Sequence, residues 1–328
     1  LLQLTEAFMD LKINGFRYFE EDGKTFLGLL EKSRALLHRI SLQAKLVRNS
    51  AADLKSASSV FTKFNDVLGE EYVGRIAELQ SLDAFLGALI NFLSSDEERH
   101  IALFFQNPSE IRPAGGFLGS YGVISLTRGQ MSNLEVQDIY WPDHEMNFSA
   151  KVIPPEPLQT VTKDWGARDG NWFFDFPSSA ETVLGFLEQS KLYKDIGITF
   201  DGAIALNINF LKSVIEATGP IMLPDYGFEI NKDNFLIELQ REVEAGRDKQ
   251  PGKNPKKILG VLTPMLLDRV RGLNDIEKAN LFDVIMKRIE KKDIMFFSRD
   301  KNIASFLNQI NIDGRIYSLP SSFWGSYL

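Results

Sequence analysis

A loop rich in glycine and proline contains the residues best suited to bind an anion. It runs from Asn107 to Phe117 with the sequence NPSEIRPAGGF. Gly115 and Gly116 permit positive φ angles and close approach of a ligand to the backbone, and Arg112 supplies a positive charge beside them. This composition predicts an anion-binding loop. The alternative is a tight connection between strands, in which Arg112 pairs with Glu110 or another acid.

A second stretch, Asp164–Pro177, mixes aromatic and polar side chains ahead of a predicted helix. Arg168, Asn171 and Trp172 are its candidate ligand-binding residues, because a tryptophan beside hydrogen-bonding groups suits stacking against a sugar or a lipid. The alternative is a loop whose aromatic side chains pack over the core. The sequence leaves both interpretations open.

Four aspartates are candidates for binding a metal ion. Asp138, Asp143 and Asp201 lie near the ends of predicted strands, and Asp175 precedes a predicted helix. Magnesium takes oxygen ligands, so these carboxylates predict a magnesium site. The alternative is that they are solvated surface acids, which are common in a chain with 44 acidic residues.

Basic side chains concentrate in one later part of the chain. Arg241 and Arg247 precede Lys253, Lys256 and Lys257. This group predicts a further contact with phosphate, and a solvated loop is the alternative.

The overall composition excludes several classes of function. A net charge of -7 argues against nucleic acid as a partner, because neutralising phosphates requires a basic surface. The absence of cysteine excludes disulfides, thiolate nucleophiles and cysteine-based zinc sites. Three histidines far apart in the sequence argue against a histidine-dominated metal site or a serine–histidine–aspartate triad. Neither a phosphate-loop signature nor a dinucleotide fingerprint is present.

Apolar periodicity predicts how these residues are positioned. Apolar side chains three or four residues apart predict helices over 25–65 and 71–93, so that residues 1–98 form a helical hairpin or small bundle. Residues 99–328 alternate between strand and helix patterns, which predicts an α/β domain with a mixed sheet flanked by helices. The chain contains no run of about 18 apolar residues, so we expect no membrane span within it. It begins without methionine, and we expect a membrane anchor upstream.

Strand patterns cover Ile101–Phe105, Phe117–Leu126 and Met131–Tyr140, the last two forming a hairpin. A helix capped by Ser178 or Ser179 follows, and then a strand to Leu206 that leads into a helix ending before Gly219. The remaining elements are a short strand pair, three helices, a strand over Asp293–Phe297 and a final helix.

Three of these segments resemble a prokaryotic envelope family known as domain of unknown function 4012. They are NPSEIRPAGGFLGSYG (107–122), DGNWFFDFP (169–177) and DGAIALNINFLKSVIEATGP (201–220). That family is distantly similar to the LytR-CpsA-Psr proteins, which transfer glycopolymers from a polyprenyl pyrophosphate carrier to the cell wall with arginines and a magnesium ion. By this resemblance Arg112 stands for the arginine that opens their first motif, although Pro113-Ala114-Gly115 replaces the acid that follows it there.

The resemblance implies an extracytoplasmic protein, tethered to the membrane by a segment outside this sequence. Its α/β domain is expected to bind a phosphorylated lipid or a glycan of the cell envelope, with magnesium as the cofactor of a polyprenyl-phosphate-linked phosphotransferase. The alternative is a non-catalytic scaffold that binds another envelope protein through its helices.

Overall fold

The computed structural model describes residues 2–55, 70–145, 152–245 and 257–316. Its chain divides into two compact units. The helical unit comprises residues 1–99, 125–132 and 300–306, and the α/β unit comprises residues 100–124, 133–299 and 307–328. The domain boundary between residues 98 and 99 rests on the sequence alone and stays a prediction.

The described elements match the predicted fold class, a mixed α/β domain preceded by helices. The helices are α1 (Leu2–Glu21), α2 (Gly23–Lys55), α3 (Glu70–Leu93), α4 (Tyr140–Glu145), α5 (Phe176–Gln189), α6 (Lys191–Lys194), α7 (Ile208–Thr218), α8 (Phe235–Ala245), α9 (Lys257–Arg271), α10 (Asp275–Glu290) and α11 (Lys301–Gln309). The strands are β1 (Arg99–Asn107), β2 (Phe117–Thr127), β3 (Gln130–Asp138), β4 (Gly202–Asn207), β5 (Ile221–Leu223), β6 (Phe228–Ile230) and β7 (Ile294–Ser298).

Long helices dominate the helical unit. Between α1 and α2, the Asp22 carboxylate accepts hydrogen bonds from the Thr25 backbone N–H at 3.0 Å and the Thr25 hydroxyl at 2.6 Å. Asp22 is thus the N-cap of α2, which begins at Gly23, two residues before the start predicted from apolar periodicity. The predicted continuation of α2 from residue 56 to residue 65 lies outside the described residues.

Helix α3 differs from the expectation that no segment of this chain could span a membrane. Its residues Tyr72–Leu93 are long and apolar enough to do so by length and composition, and 11% of the apolar window is buried. Length and composition alone do not distinguish a membrane helix from a core helix.

The α/β unit is organised by a five-stranded sheet in the order β3-β2-β1-β4-β7. Strands β1 and β4 are parallel neighbours with Gln106 opposite Asn207, and β7 runs antiparallel to β4. Apolar residues of the sheet and α5 bury Phe104, Tyr121, Phe176 and Leu184 in one cluster. A second cluster joins α7, α8 and α9 to the β5–β6 pair.

Helix α5 begins earlier than its sequence suggests. Its N-cap is Asp175, whose carboxylate accepts the Ser178 backbone N–H at 3.0 Å and the Ile316 backbone N–H at 3.1 Å. The prediction that Ser178 or Ser179 caps this helix is therefore wrong. Ser179 is buried and donates its hydroxyl to the Phe173 carbonyl instead. Pro177, which has no N–H, fits the first turn that Asp175 creates.

Replacing the cap tests this assignment. We expect Asp175→Ala to lower the free energy of unfolding by about 1–2 kcal/mol, because two backbone N–H groups lose their acceptor. Urea unfolding monitored by circular dichroism would measure the change. Ser178→Ala is the matched control and should cost less, since it removes only a hydroxyl that donates to Asp175. Equal losses in both variants would contradict the assignment.

Candidate functional site

A cavity of about 550 Å³ opens in the α/β unit at the carboxyl ends of the parallel strands β1 and β4. Ligands of open α/β sheets commonly bind at this edge, because the loops that follow the strands diverge there. Phe105, Gln106 and Asn107 of β1 and Ile208 after β4 line it. The site therefore lies where the anion-binding loop leaves β1.

Three helices contribute mostly apolar side chains to the cavity, together with Gln240 and Thr263. Helix α7 contributes Leu211, and α8 and α9 contribute the faces that meet in the second core cluster. The apolar lining residues on α8 and α9 are Phe235, Leu236, Leu239, Leu259, Leu262 and Leu266. This wall suits the chain of a lipid or another long apolar group.

The other side of the cavity is polar and comes from loops. Glu110 and Arg112 follow β1, Tyr140 begins α4, and Arg168 and Asp169 lie in the turn before α5. Two arginines and two carboxylates therefore share one end of a cavity that is otherwise mostly apolar.

The glycine pair shapes the loop that carries Arg112. Gly115 has φ of 95° and Gly116 has φ of 117°. A Cβ atom on Gly116 would lie 2.4 Å from the Asn107 carbonyl oxygen, and one on Gly115 would lie 2.6 Å from Gln106 Oε1. Neither glycine lines the cavity, so they act on this site through the path of the backbone. Their direct contact with a ligand stays a prediction.

Two buried amide side chains hold the same loop. Gln106 donates to the Ala114 carbonyl at 2.7 Å, and Asn171 donates to the carbonyls of Ala114 at 3.0 Å and Gly116 at 2.7 Å. Asn171 is only 3% exposed and does not line the cavity. The structure thus places this predicted ligand-binding residue behind the loop, as an internal support.

Arg112 projects from the loop toward the cavity with its charge available. Its Nη1 donates to the Ile111 carbonyl at 2.9 Å, and its guanidinium lies 5.3 Å from the centre of the Phe117 ring. It has no ion-pair partner among the described residues, so the alternative of pairing with Glu110 does not hold in this part of the chain.

Arg168 is held rigidly by acids at the same end of the cavity. Its Nη1 lies 2.9 Å from Asp143 Oδ2, its Nε lies 3.2 Å from Asp169 Oδ2, and its Nη2 donates to Thr162 Oγ1 at 3.2 Å. Asp143 is 3% exposed and also accepts the Ala167 backbone N–H at 2.7 Å. Burial raises the pKa of Asp143 above its ordinary value, because desolvation of the carboxylate outweighs these bonds.

Tyr140 joins the two arginine-bearing segments. Its ring lies 5.7 Å from the Arg168 guanidinium carbon. Desolvation raises the pKa of its phenol, and the negative charges of Asp169, Asp138 and Glu110 add to this effect against the opposing charge of Arg168. The hydroxyl is therefore a hydrogen-bond donor at neutral pH, at the polar end of the cavity.

The four aspartates predicted to bind a metal ion each accept a backbone N–H at a separate place. Asp138 accepts that of Tyr140 at 3.1 Å, Asp201 that of His100 at 3.0 Å, and Asp143 and Asp175 those described above. None of the four lines the cavity. Within residues 2–55, 70–145, 152–245 and 257–316, no group of three or more histidine or acidic side chains is arranged to hold a metal ion.

The remaining predicted ligand-binding residues lie away from the cavity lining. Trp172 is half-buried and is not among the lining residues, while its neighbour Trp165 packs against Phe186. Arg241 pairs with Glu238 and lies 5.3 Å from the Phe228 ring. Arg247 lies outside the described residues. Ligand contacts by these residues stay predictions.

Sequence reasoning missed Tyr140, Thr162 and the apolar wall. The aromatic pair Tyr140-Trp141 directly after a strand was the available signal for the first of these. The leucines of α8 and α9 follow helical spacing, which is the same pattern that a filled core produces.

Part of the chain that forms this site matches a known protein family. Residues 96–243 match the family model described as "Protein of unknown function (DUF4012)". This stretch of the chain is similar to the DUF4012 family. The match confirms the resemblance carried by the segments at 107–122, 169–177 and 201–220. The DUF4012 region contains β1 to β6 and most of α8, whereas α9, which completes the apolar wall, follows it.

Two solved structures are similar to this chain at low identity. TagV of B. subtilis is 13% identical, with a TM-score of 0.35, covering 67% of this chain and 82% of TagV. A protein described as the transcriptional regulator yvhJ from Bacillus subtilis is 14% identical, with a TM-score of 0.33, covering 66% of this chain and 97% of yvhJ. A search of curated proteins finds no match.

Removing the internal support of the loop tests the site's construction. We expect Asn171→Ala to lower the free energy of unfolding by about 1–2 kcal/mol, because the buried Gly116 carbonyl loses its side-chain donor while the Ala114 carbonyl keeps only Gln106. Asn133→Ala is the matched control, since the Asn133 amide is exposed and donates to Glu135, and it should change stability by less than about 0.5 kcal/mol. Urea unfolding would measure both. A neutral Asn171→Ala variant would contradict the support role.

Proposed function

We propose that the α/β unit binds a phosphorylated lipid of the polyprenyl phosphate class at the cell envelope, outside the cytoplasm. The observation that carries this proposal is the division of the cavity into an apolar side and an end with two arginines. An amphiphile with an apolar chain and an anionic head has the same division.

The apolar side supplies most of the binding free energy in this proposal. Each buried methylene group contributes about 0.8 kcal/mol, so even a short chain along Leu239, Leu259 and Leu262 outweighs a single hydrogen bond. The helices that carry these residues pack on the β5–β6 pair, which keeps the wall in place.

The polar end would orient the head group. Arg112 has no described carboxylate partner and can offer its N–H groups to phosphate oxygens. Arg168 is fixed by Asp143 and Asp169, so it would donate with little loss of side-chain entropy. The Tyr140 hydroxyl adds a neutral donor.

We propose that a magnesium ion would be held at this end by carboxylates other than the four predicted aspartates. Glu110 and Asp169 balance Arg112 and Arg168, so a bound phosphate monoester, with a charge of about -1.5 to -2, would leave an excess of negative charge. A magnesium ion compensates such an excess and takes carboxylate and phosphate oxygens together. We propose Glu110 and Asp169 as the residues that would hold it.

Phosphotransferase activity would use the same residues. Arg112 and Arg168 would stabilise negative charge that develops as a hydroxyl of the cell-wall acceptor forms a bond to the glycopolymer phosphate, loses its proton, and the bond to the departing polyprenyl phosphate breaks. Membrane tethering by a segment outside this sequence would keep the α/β unit near its lipid ligand.

A non-catalytic scaffold is the second candidate. It is favoured by the exposed apolar side chains of the helical unit, such as Phe8 and Phe16 of α1 and Leu46 of α2. These side chains would bind another envelope protein. Under this candidate the cavity of the α/β unit has no phosphorylated ligand.

Calorimetry with a soluble short-chain polyprenyl phosphate tests the proposal. We expect the wild-type protein to bind it, and Arg112→Ala to bind it roughly tenfold to a hundredfold more weakly, because a charge-assisted hydrogen bond is worth about 1.5–3 kcal/mol. Magnesium should strengthen binding by the wild-type protein.

Arg271→Ala is the matched control, since Arg271 pairs with Asp268 and lies away from the cavity. It should bind like the wild type. Absence of binding by the wild type, or equal weakening in both arginine variants, would contradict the proposal that the cavity binds a phosphorylated lipid. The non-catalytic scaffold would then be the better-supported function.

A further inference from the structure

Four exposed apolar side chains lie in segments that line the cavity. Ile111 is 87% exposed, Val161 79%, Trp141 49% and Tyr140 41%. Val161 and Tyr140 line the cavity themselves, Ile111 lies between the lining residues Glu110 and Arg112, and Trp141 follows Tyr140. We call these four residues the mouth rim.

The mouth rim is assembled from separate segments. Ile111 belongs to the loop after β1, Tyr140 and Trp141 begin α4, and Val161 follows the short 3₁₀ helix Glu156–Thr160. Single exposed apolar residues are normal on a protein surface, but four of them in segments that line one cavity with a mostly apolar wall suggest a surface with a partner.

The chemistry of the mouth rim fits the surface of a bilayer. Tyrosine and tryptophan favour the boundary between lipid chains and water, because their rings are apolar and their polar atoms can stay hydrated. Arg112 and Arg168 line the same cavity and could contact lipid phosphates. The opposing charges of Glu110 and Asp169 and the net charge of -7 mean that attraction to anionic lipids is not the driving force.

We propose that the mouth rim inserts into the surface of a phospholipid bilayer, so that the cavity opens directly onto the membrane. A lipid chain could then pass from the bilayer to the wall formed by α8 and α9 without crossing water. The proposal rests on the proposed function for the purpose of this opening, although membrane contact by the rim is measured separately from ligand binding.

Flotation with phosphatidylcholine vesicles tests the insertion. The wild-type protein should float with the vesicles, and Ile111→Ser/Trp141→Ser should partition at least about tenfold more weakly, since two side chains of this size lose their apolar burial. Binding by the wild type should persist at high salt, because apolar insertion is not screened.

The matched control is Ile196→Ser/Ile276→Ser. These isoleucines are 68% and 74% exposed in the same unit and do not line the cavity. The control should float like the wild type. A wild-type protein that stays unbound, a control that weakens equally, or binding that disappears at high salt would each overturn the proposal.

Two further comparisons distinguish rim insertion from the proposed function and from self-association. Binding of the soluble polyprenyl phosphate by the wild type without flotation would retain the proposed function and reject rim insertion, whereas flotation without such binding would do the reverse. Analytical ultracentrifugation measures whether a second copy of this chain binds at the rim. If the wild type self-associates, and only the Ile111→Ser/Trp141→Ser variant is monomeric, without any flotation, the rim is a contact between copies of this chain and the bilayer proposal fails.

Discussion

The hydrogen bonds that Gln106 and Asn171 donate to the Ala114 and Gly116 carbonyls determine the path of the loop between β1 and β2. Because the two amides are buried, water does not readily replace these bonds, and the Gly116 carbonyl has Asn171 as its side-chain donor. The loop consequently follows one path, which needs positive φ at both glycines and directs Arg112 to the cavity. The same path places Ile111 at the opening. Ligand recognition and membrane contact, as proposed, therefore depend on amide hydrogen bonds made within the protein.

The cavity results from two different kinds of packing that meet at the end of the sheet. Loops after β1 and before α5 supply charged groups, and Asp143 fixes Arg168 from a buried position. Helices α7, α8 and α9 supply an apolar wall from a core cluster separate from that of the sheet. Since α9 follows the DUF4012 region, the wall combines a family element with one outside the family match. A polar end and an apolar side are the combination that the proposed phospholipid ligand requires.

The fold was largely predictable because each element carries a clear local pattern. Strand β2, strand β3 and the turn between them follow from alternation and from Arg128-Gly129, and α7 follows from Asn207 and Gly219 at its ends. The start of α5 was not predictable, because Asp175, Ser178 and Ser179 are all good cap residues. Asp175 is distinguished by its contact with the Ile316 backbone N–H, which the sequence does not show. That contact joins residues 141 positions apart.

The candidate site was predictable only in part. Arg112 and Arg168 line the cavity, and their types and neighbours were the signal for this. The roles of Asn171, Asp143, Asp175 and Asp201 could not be predicted. A side chain that hydrogen-bonds to the backbone and one that binds a ligand are the same residue type in the sequence. Only the hydrogen-bond distances and the burial of these side chains in the structure distinguish the two roles. The apolar wall was equally hidden, since a leucine facing a cavity and a leucine facing a core have the same spacing.

Photo-crosslinking with a diazirine-labelled polyprenyl phosphate tests the central claim most directly, because it reports where the apolar chain lies. The account predicts labels on the cavity faces of α8 and α9, at residues such as Leu239 and Leu262, and their loss in the presence of excess unlabelled lipid phosphate. Labels confined to α1 and α2, or labels on α8 and α9 that resist competition, would contradict it.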